Sequence, residues 1–247
     1  MKKPGGSSAE TTSITPRRGR GRRKHQPDAD AQTISAATQA DILKVAEEEF
    51  ASLGFEGANI DEIARRTSTS KRMIYYYFEN KRGLYKAVIK GAYASLRRAG
   101  AFENVNGLSP MEALRKYAES TFDTHLRHPN LVRLSLYENI NRGEILGELR
   151  EEIAGYPSNL EPLRNILSEG QKDGSIRSDL RLMDVYLIVV GISFHTISNA
   201  HSIKALFGHD MLSDIEIEAR RVLVGDTVCR YATSLTEAAP TLDRGKA

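Results

Sequence analysis

Ser70-Lys71-Arg72-Met73-Ile74-Tyr75-Tyr76-Tyr77-Phe78 is the stretch on which the reading of this chain turns. A hydroxyl able to cap a helix opens it, two cations and a methionine fill the first turn, and Phe78 closes it as a core residue. It reads as a short helix with a polar N-terminal end. Thr67-Ser68-Thr69, just before it, reads as a break, because hydroxyl side chains compete for backbone hydrogen bonds. Upstream of the break, Asn59 and Glu62 stand at the N-cap and N3 spacing of a capping box, opening a helix with Ile60, Ile63 and Ala64. Two short helices joined by a tight polar turn are therefore expected.

Elements on either side extend the pattern. Ile42, Val45, Ala46, Phe50, Ala51 and Leu53 recur near a 3.6-residue period, with Thr38 and Asp41 as the expected cap and Gly54 as the stop. After Asn80-Lys81, the residues Leu84, Tyr85, Val88, Tyr93 and Leu96 carry a longer helix. Ser109-Pro110-Met111-Glu112 combines a serine cap, proline at N1 and glutamate at N3. Helical segments follow at about 110–127, 131–141, 144–155, 159–170, 183–204 and 212–235, with no alternating strand pattern between them. The expected fold is all-α, with residues 36–90 as a helix-turn-helix domain and 91–240 as a helical effector-binding and dimerisation domain. Residues 1–35 have almost no large apolar side chains and read as a disordered basic tail.

From Thr38 to Val88 the order and spacing of these residues resemble the DNA-binding domain of TetR-type regulators: Ile42, Leu43, Ala46 and Phe50, then Gly54-Phe55, Ile63-Ala64, a turn, and Ile74 to Phe78 before Lys81 and Leu84. Two positions depart from that pattern. Ser68 stands where the family usually has a turn glycine, which predicts a strained positive φ, and Arg72 stands where a glycine is common. The resemblance implies that the third helix enters the major groove, with Ser70, Lys71, Arg72 and Met73 towards base edges. Arg72 is the candidate guanine reader. Tyr75 and Tyr76 are within reach of phosphate or a thymine methyl, and the resemblance places a phosphate-contacting tyrosine at Tyr76 or Tyr77 and a lysine at Lys81. Each tyrosine has packing as its alternative role. Thr38 is a further phosphate candidate, at an expected helix N-terminus.

Charge is unevenly distributed. Residues 1–35 hold eight Lys or Arg against three Asp or Glu, residues 36–90 nine against eight, and residues 91–247 eighteen against twenty-one. The basic excess points to a polyanionic partner at the N-terminal end. Arg17, Arg18, Arg20, Arg22, Arg23 and Lys24, interleaved with Gly19 and Gly21, resemble the core of an AT-hook for an A/T-rich minor groove. Non-specific phosphate binding by the same arm is the competing reading.

Behind the reading head, the family resemblance implies a small-molecule pocket whose filling releases DNA. Candidate lining residues, polar or aromatic groups among apolar helices, are Phe122, Tyr137, Asn141, Phe194, His195 and Asn199. Val185 to Phe194 is apolar almost all round, and the last helix sets an apolar side against a charged one. These two helices are expected to form half of an intersubunit four-helix bundle, with an intramolecular core as the other arrangement.

The sequence offers no phosphate-cradling glycine loop, nucleophile elbow or paired His-carboxylate motif, so no enzyme is expected. Nor is a cofactor or metal: His125 and His128 lack a third ligand, and the single cysteine, Cys229, reads as a small core residue. Without an apolar run of membrane-spanning length or a signal peptide, a cytoplasmic location is expected. The expected partners are an operator in double-stranded DNA, an effector of unspecified identity and a second copy of the chain. An architectural DNA-binding protein and a transcriptional activator are the alternatives.

Overall fold

The computed structural model describes residues 27–98, 107–153 and 160–233, and the described residues form eleven helices and no strands. The chain divides into two compact units, residues 1–37 and 38–247, and the second holds both apolar cores. The arginine-rich arm, Arg17 to Lys24, lies outside the described residues.

Helix α1 (Pro27–Gly57) begins well before the expected start at Thr38. Residues 27–35, expected as disordered tail, are helical, with proline at the start and an alanine-rich sequence behind it. Alanine sustains a helix without an apolar stripe, so a reading based on burial periodicity misses this portion. Thr38 consequently sits inside α1, and the helix N-terminus expected there for phosphate is absent. Gly54 breaks α1 with φ 70° and ψ 179°, backbone angles that a side chain strongly disfavours.

Helices α2 (Ile60–Arg66), α3 (Lys71–Phe78) and α4 (Lys81–Arg98) complete the reading head. Behind it come α5 (Pro110–Arg127), α6 (Pro129–Ile140), the short α7 (Glu144–Glu148), α8 (Glu161–Asp173), α9 (Leu182–Ser198), α10 (Ala200–Phe207) and α11 (Asp214–Thr233). The start of α5 is as expected: Ser109 and Glu112 form a reciprocal capping box with Pro110 in the first turn. The segment expected as one helix over 183–204 is instead two, α9 and α10, bent by 62°. Asn199 stands at the bend, its amide directed to the His195 carbonyl and to Ser198, which competes with continuation of the helical ladder.

One core joins Ile42, Phe50, Ile63, Ile74, Leu84 and Ile89 of the head to Leu131 and Leu134 of α6 and to Ile145 and Leu149 around α7. The expected domain boundary after residue 90 therefore falls inside α4, and α6 shares the head's own core. The second core packs α5, α8, α9 and α11 through Leu114, Phe122, Leu163, Ile176, Val185 and Val228. No single helix among the described residues is long and apolar enough to cross a membrane.

Candidate nucleic-acid interface and effector cavities

The α2–turn–α3 unit is held from inside. Asn59 caps α2 by accepting from the Asp61 N–H at 2.8 Å. The expected reciprocal bond from Glu62 does not form. Glu62 pairs with Arg65, and the Asn59 N–H donates instead to Glu49, a buried carboxylate 3.2 Å away. Thr67 returns its hydroxyl to the Ile63 carbonyl, and Ser68 adopts φ 50°. The turn thus takes the left-handed conformation that glycine would adopt at lower cost. Ser70 then caps α3 by accepting from Met73 N–H at 3.2 Å.

On α3, Ile74 is fully buried and anchors the helix, while Ser70, Lys71, Arg72, Met73, Tyr75 and Tyr76 are exposed. Tyr76 stands out at 76% exposure, too far into solvent for a packing role. Tyr77 is half-buried against the head core, with its ring edge-on to Tyr76 at 5.3 Å. Lys71 pairs with Asp61 at 2.9 Å, and Lys81 donates to the Glu56 carbonyl at 3.1 Å beneath the Phe55 ring. Arg72 has no ion pair or hydrogen bond among the described residues. Its fork of donors is the one at this end of the helix left for an external acceptor.

The α3–α4 junction falls at Asn80-Lys81 as expected, but its tight geometry was not legible. Glu79 closes α3 at φ 65°, and Asn80 accepts from the Gly83 N–H at 2.9 Å. A Cβ at Gly83 would meet the Phe78 carbonyl at 2.1 Å, so only glycine lets the chain turn this closely behind the reading helix.

The head is fastened to the body through α4. Arg82 bonds Glu144 at 2.7 Å and also pairs with Glu148, Lys86 pairs with Glu148, and Lys90 reaches Glu152 at 2.6 Å. Lys86 and then Arg82 hold the Glu148 carboxyl below its ordinary pKa. Deeper in, the Tyr85 hydroxyl donates to Glu138 at 2.9 Å. Burial, and then the neighbouring Glu138 charge, push the Tyr85 phenol well above its ordinary pKa. Tyr85 was legible as part of the α4 pattern, but its partner Glu138 was not, since a glutamate in an amphipathic helix normally reads as surface.

The six expected pocket residues do not converge. Phe122 is fully buried in the second core. Tyr137 and Asn141 line a cavity of about 320 Å³ at the head–body joint, shared with Gly54, Phe55, Tyr85 and Glu138. Phe194 lines a different cavity of about 250 Å³, with Tyr93, His125, Ser135, Asn139 and Tyr186. His195 and Asn199 bond each other at 3.1 Å and line neither. Among the described residues no group of three or more His, Cys, Asp or Glu is placed to hold a metal.

Comparison with known proteins agrees with the all-helical fold and its N-terminal helix-turn-helix. Residues 42–88 match the family described as bacterial regulatory proteins, tetR family, and residues 110–228 match the tetracyclin repressor-like C-terminal domain. The HTH-type transcriptional repressor NicS of Pseudomonas putida is 31% identical over 180 residues, covering 70% of this chain and 82% of its own length. The HTH-type transcriptional repressor SCO4008 of Streptomyces coelicolor is 27% identical over 158 residues, 64% of this chain and 77% of that protein. Among solved structures, the SCO4942 protein of Streptomyces coelicolor superposes with a TM-score of 0.57 at 26% identity, over 77% of this chain and 96% of that one. The chain belongs to the TetR family of bacterial transcriptional regulators.

Proposed function

We propose that the chain is a homodimeric repressor that reads its operator with α3 and is released when a small molecule fills its helical body. The observation that carries this reading is the outward face of α3, where Arg72 and Tyr76 are exposed on a helix whose inner residue, Ile74, is locked in the core. A reading surface of this kind is effective only when held rigidly at one angle to the groove. The protein acts in the cytoplasm, by binding rather than by catalysis.

Arg72 reads a base edge, Tyr76 and Tyr77 steady the helix on phosphate, and Lys81, Lys71 and Ser70 contribute backbone contacts. Met73 and Tyr75 offer apolar contact to a thymine methyl. The arm from Arg17 to Lys24 adds sequence-tolerant affinity. Dimerisation follows from apolar surface on the last three helices: Leu187 is 61% exposed on α9, Leu206 and Phe207 76% on α10, and Ile215 82% on α11. Large apolar side chains exposed on these helices support an interface there, and two-fold pairing would place two reading heads on two half-sites.

The test is a reporter driven by the promoter next to the chain's own gene, with and without the chain. Repression by the native chain that is lost in Arg72→Ala supports the reading. Activation of the reporter would reverse its sign, and no effect of the chain on any neighbouring promoter would count against it.

A further inference from the structure

The cavity between α4, α5, α6 and α9 narrows the chemistry of what can occupy it. Its volume is about 250 Å³. About 150 Å³ suffices for benzene, and sites for drug-sized ligands usually begin near 300 Å³. One substituted ring therefore fits.

The described residues that line this cavity include no Lys, Arg, Asp or Glu. An ionic ligand would therefore meet no opposite charge on the lining, whereas an uncharged one has nothing to neutralise. Two of the polar groups have a definite sense, beside the Tyr93, Tyr186 and Ser135 hydroxyls, which can donate or accept. His125 Nδ1 lies 3.0 Å from the Thr121 carbonyl, which can only accept, so Nδ1 carries the proton. Burial lowers the His125 pKa from its ordinary 6.5, which keeps the ring neutral and leaves Nε2 as a bare acceptor. The Asn139 amide donates to the Ser135 carbonyl at 2.8 Å, leaving its own oxygen to accept. The Phe194 ring, edge-on to His125 at 6.0 Å, supplies an aromatic wall.

We propose that the effector is an uncharged single-ring compound bearing N–H or O–H donors, held in this cavity with one donor on His125 Nε2 and another on Asn139 Oδ1. The proposal rests on the ligand-responsive reading above and specifies its ligand. A carboxylate or an ammonium compound would find no opposite charge on the lining to hold it.

Calorimetric titration of the full chain at neutral pH with para-hydroxybenzamide, para-hydroxybenzoate and para-hydroxybenzylamine tests it, because the three share a ring and a hydroxyl and differ in charge. The amide should bind at least tenfold more tightly than either ion. His125→Phe, which keeps a ring beside Phe194, and Asn139→Ala, at an exposed position where folding is not at risk, should each weaken the amide about tenfold. An ion binding as tightly as the amide, no binding by any of the three, or amide binding indifferent to both substitutions overturns the proposal. The broader reading is tested separately, by whether any compound in a metabolite extract dissociates the chain from its DNA. An ion that binds tightly and dissociates it would leave that reading intact while removing this one.

Discussion

Tyr85 of α4 donates its hydroxyl to Glu138 of α6 across 2.9 Å, buried between the reading head and the sensing body. The same α6 presents Ser135 and Asn139 to the ring-sized cavity and Tyr137 to the head, where the Tyr137 ring sits 2.7 Å from the position of a Cβ on Gly54. One helix thus touches both this cavity and the Gly54 break in α1. On the proposed reading, a ligand that displaces α6 would be felt at α1 and α4, because packed interfaces do not deform continuously.

Tyr85→Phe tests that link. It strips a buried carboxylate of a hydrogen-bond donor, and urea unfolding should show a loss of about 1 to 3 kcal/mol. Effector-induced release from DNA should also weaken in this variant while affinity for DNA alone is nearly retained. Unchanged stability and unchanged release would show that the contact couples nothing.

Arg72→Ala should cost about 1 to 3 kcal/mol at one base pair and relax preference there, whereas Lys81→Ala should weaken all sequences alike. Binding measured over a panel of single-base operator variants separates the two. A uniform loss from Arg72→Ala would remove it from base reading.

Two glycines should resist substitution for different reasons. Gly54→Ala forces a side chain into φ 70° and against the Tyr137 ring, and Gly83→Ala drives a Cβ onto the Phe78 carbonyl. Each should destabilise the chain by about 1 to 3 kcal/mol in thermal or urea unfolding. Melting temperatures indistinguishable from the native chain would mean these turns relax freely.

Stability should depend on His125 at mildly acidic pH. Its folded-state pKa lies below the ordinary 6.5 because burial disfavours the imidazolium, so the unfolded chain takes up its proton first. The associated stability is fully present above pH 6.5 and is lost as pH falls from there towards the lower folded value. His125→Phe should flatten that part of the stability–pH curve, and an unaltered slope would place the loss on other groups.

Much of this architecture was open to reading from the sequence because it is written in local signals. Ser70 as a cap and the Ser109–Glu112 capping box follow from residue type and spacing alone, while the strained turn at Ser68 was expected from the resemblance, which places a glycine there. The alanine-rich start of α1 was missed because alanine forms helix without needing to be buried. The bend at Asn199 was missed because an apolar run hides a break set by one amide. The candidate cavities were the least legible part. His125, Ser135 and Asn139 meet Phe194 only through the packing of α5, α6 and α9, and no pattern within one helix announces that meeting. Nor does any local pattern distinguish Glu138, buried at the joint, from the surface glutamates around it.

The most direct test of the central claim is a salt-controlled titration of the full chain on the DNA flanking its own gene, with scrambled competitor and a footprint of the complex. A saturable, competitor-resistant complex with a two-fold symmetric footprint is the predicted result. Binding that competitor removes completely at every salt concentration would contradict it, and would leave a protein that holds DNA through charge alone.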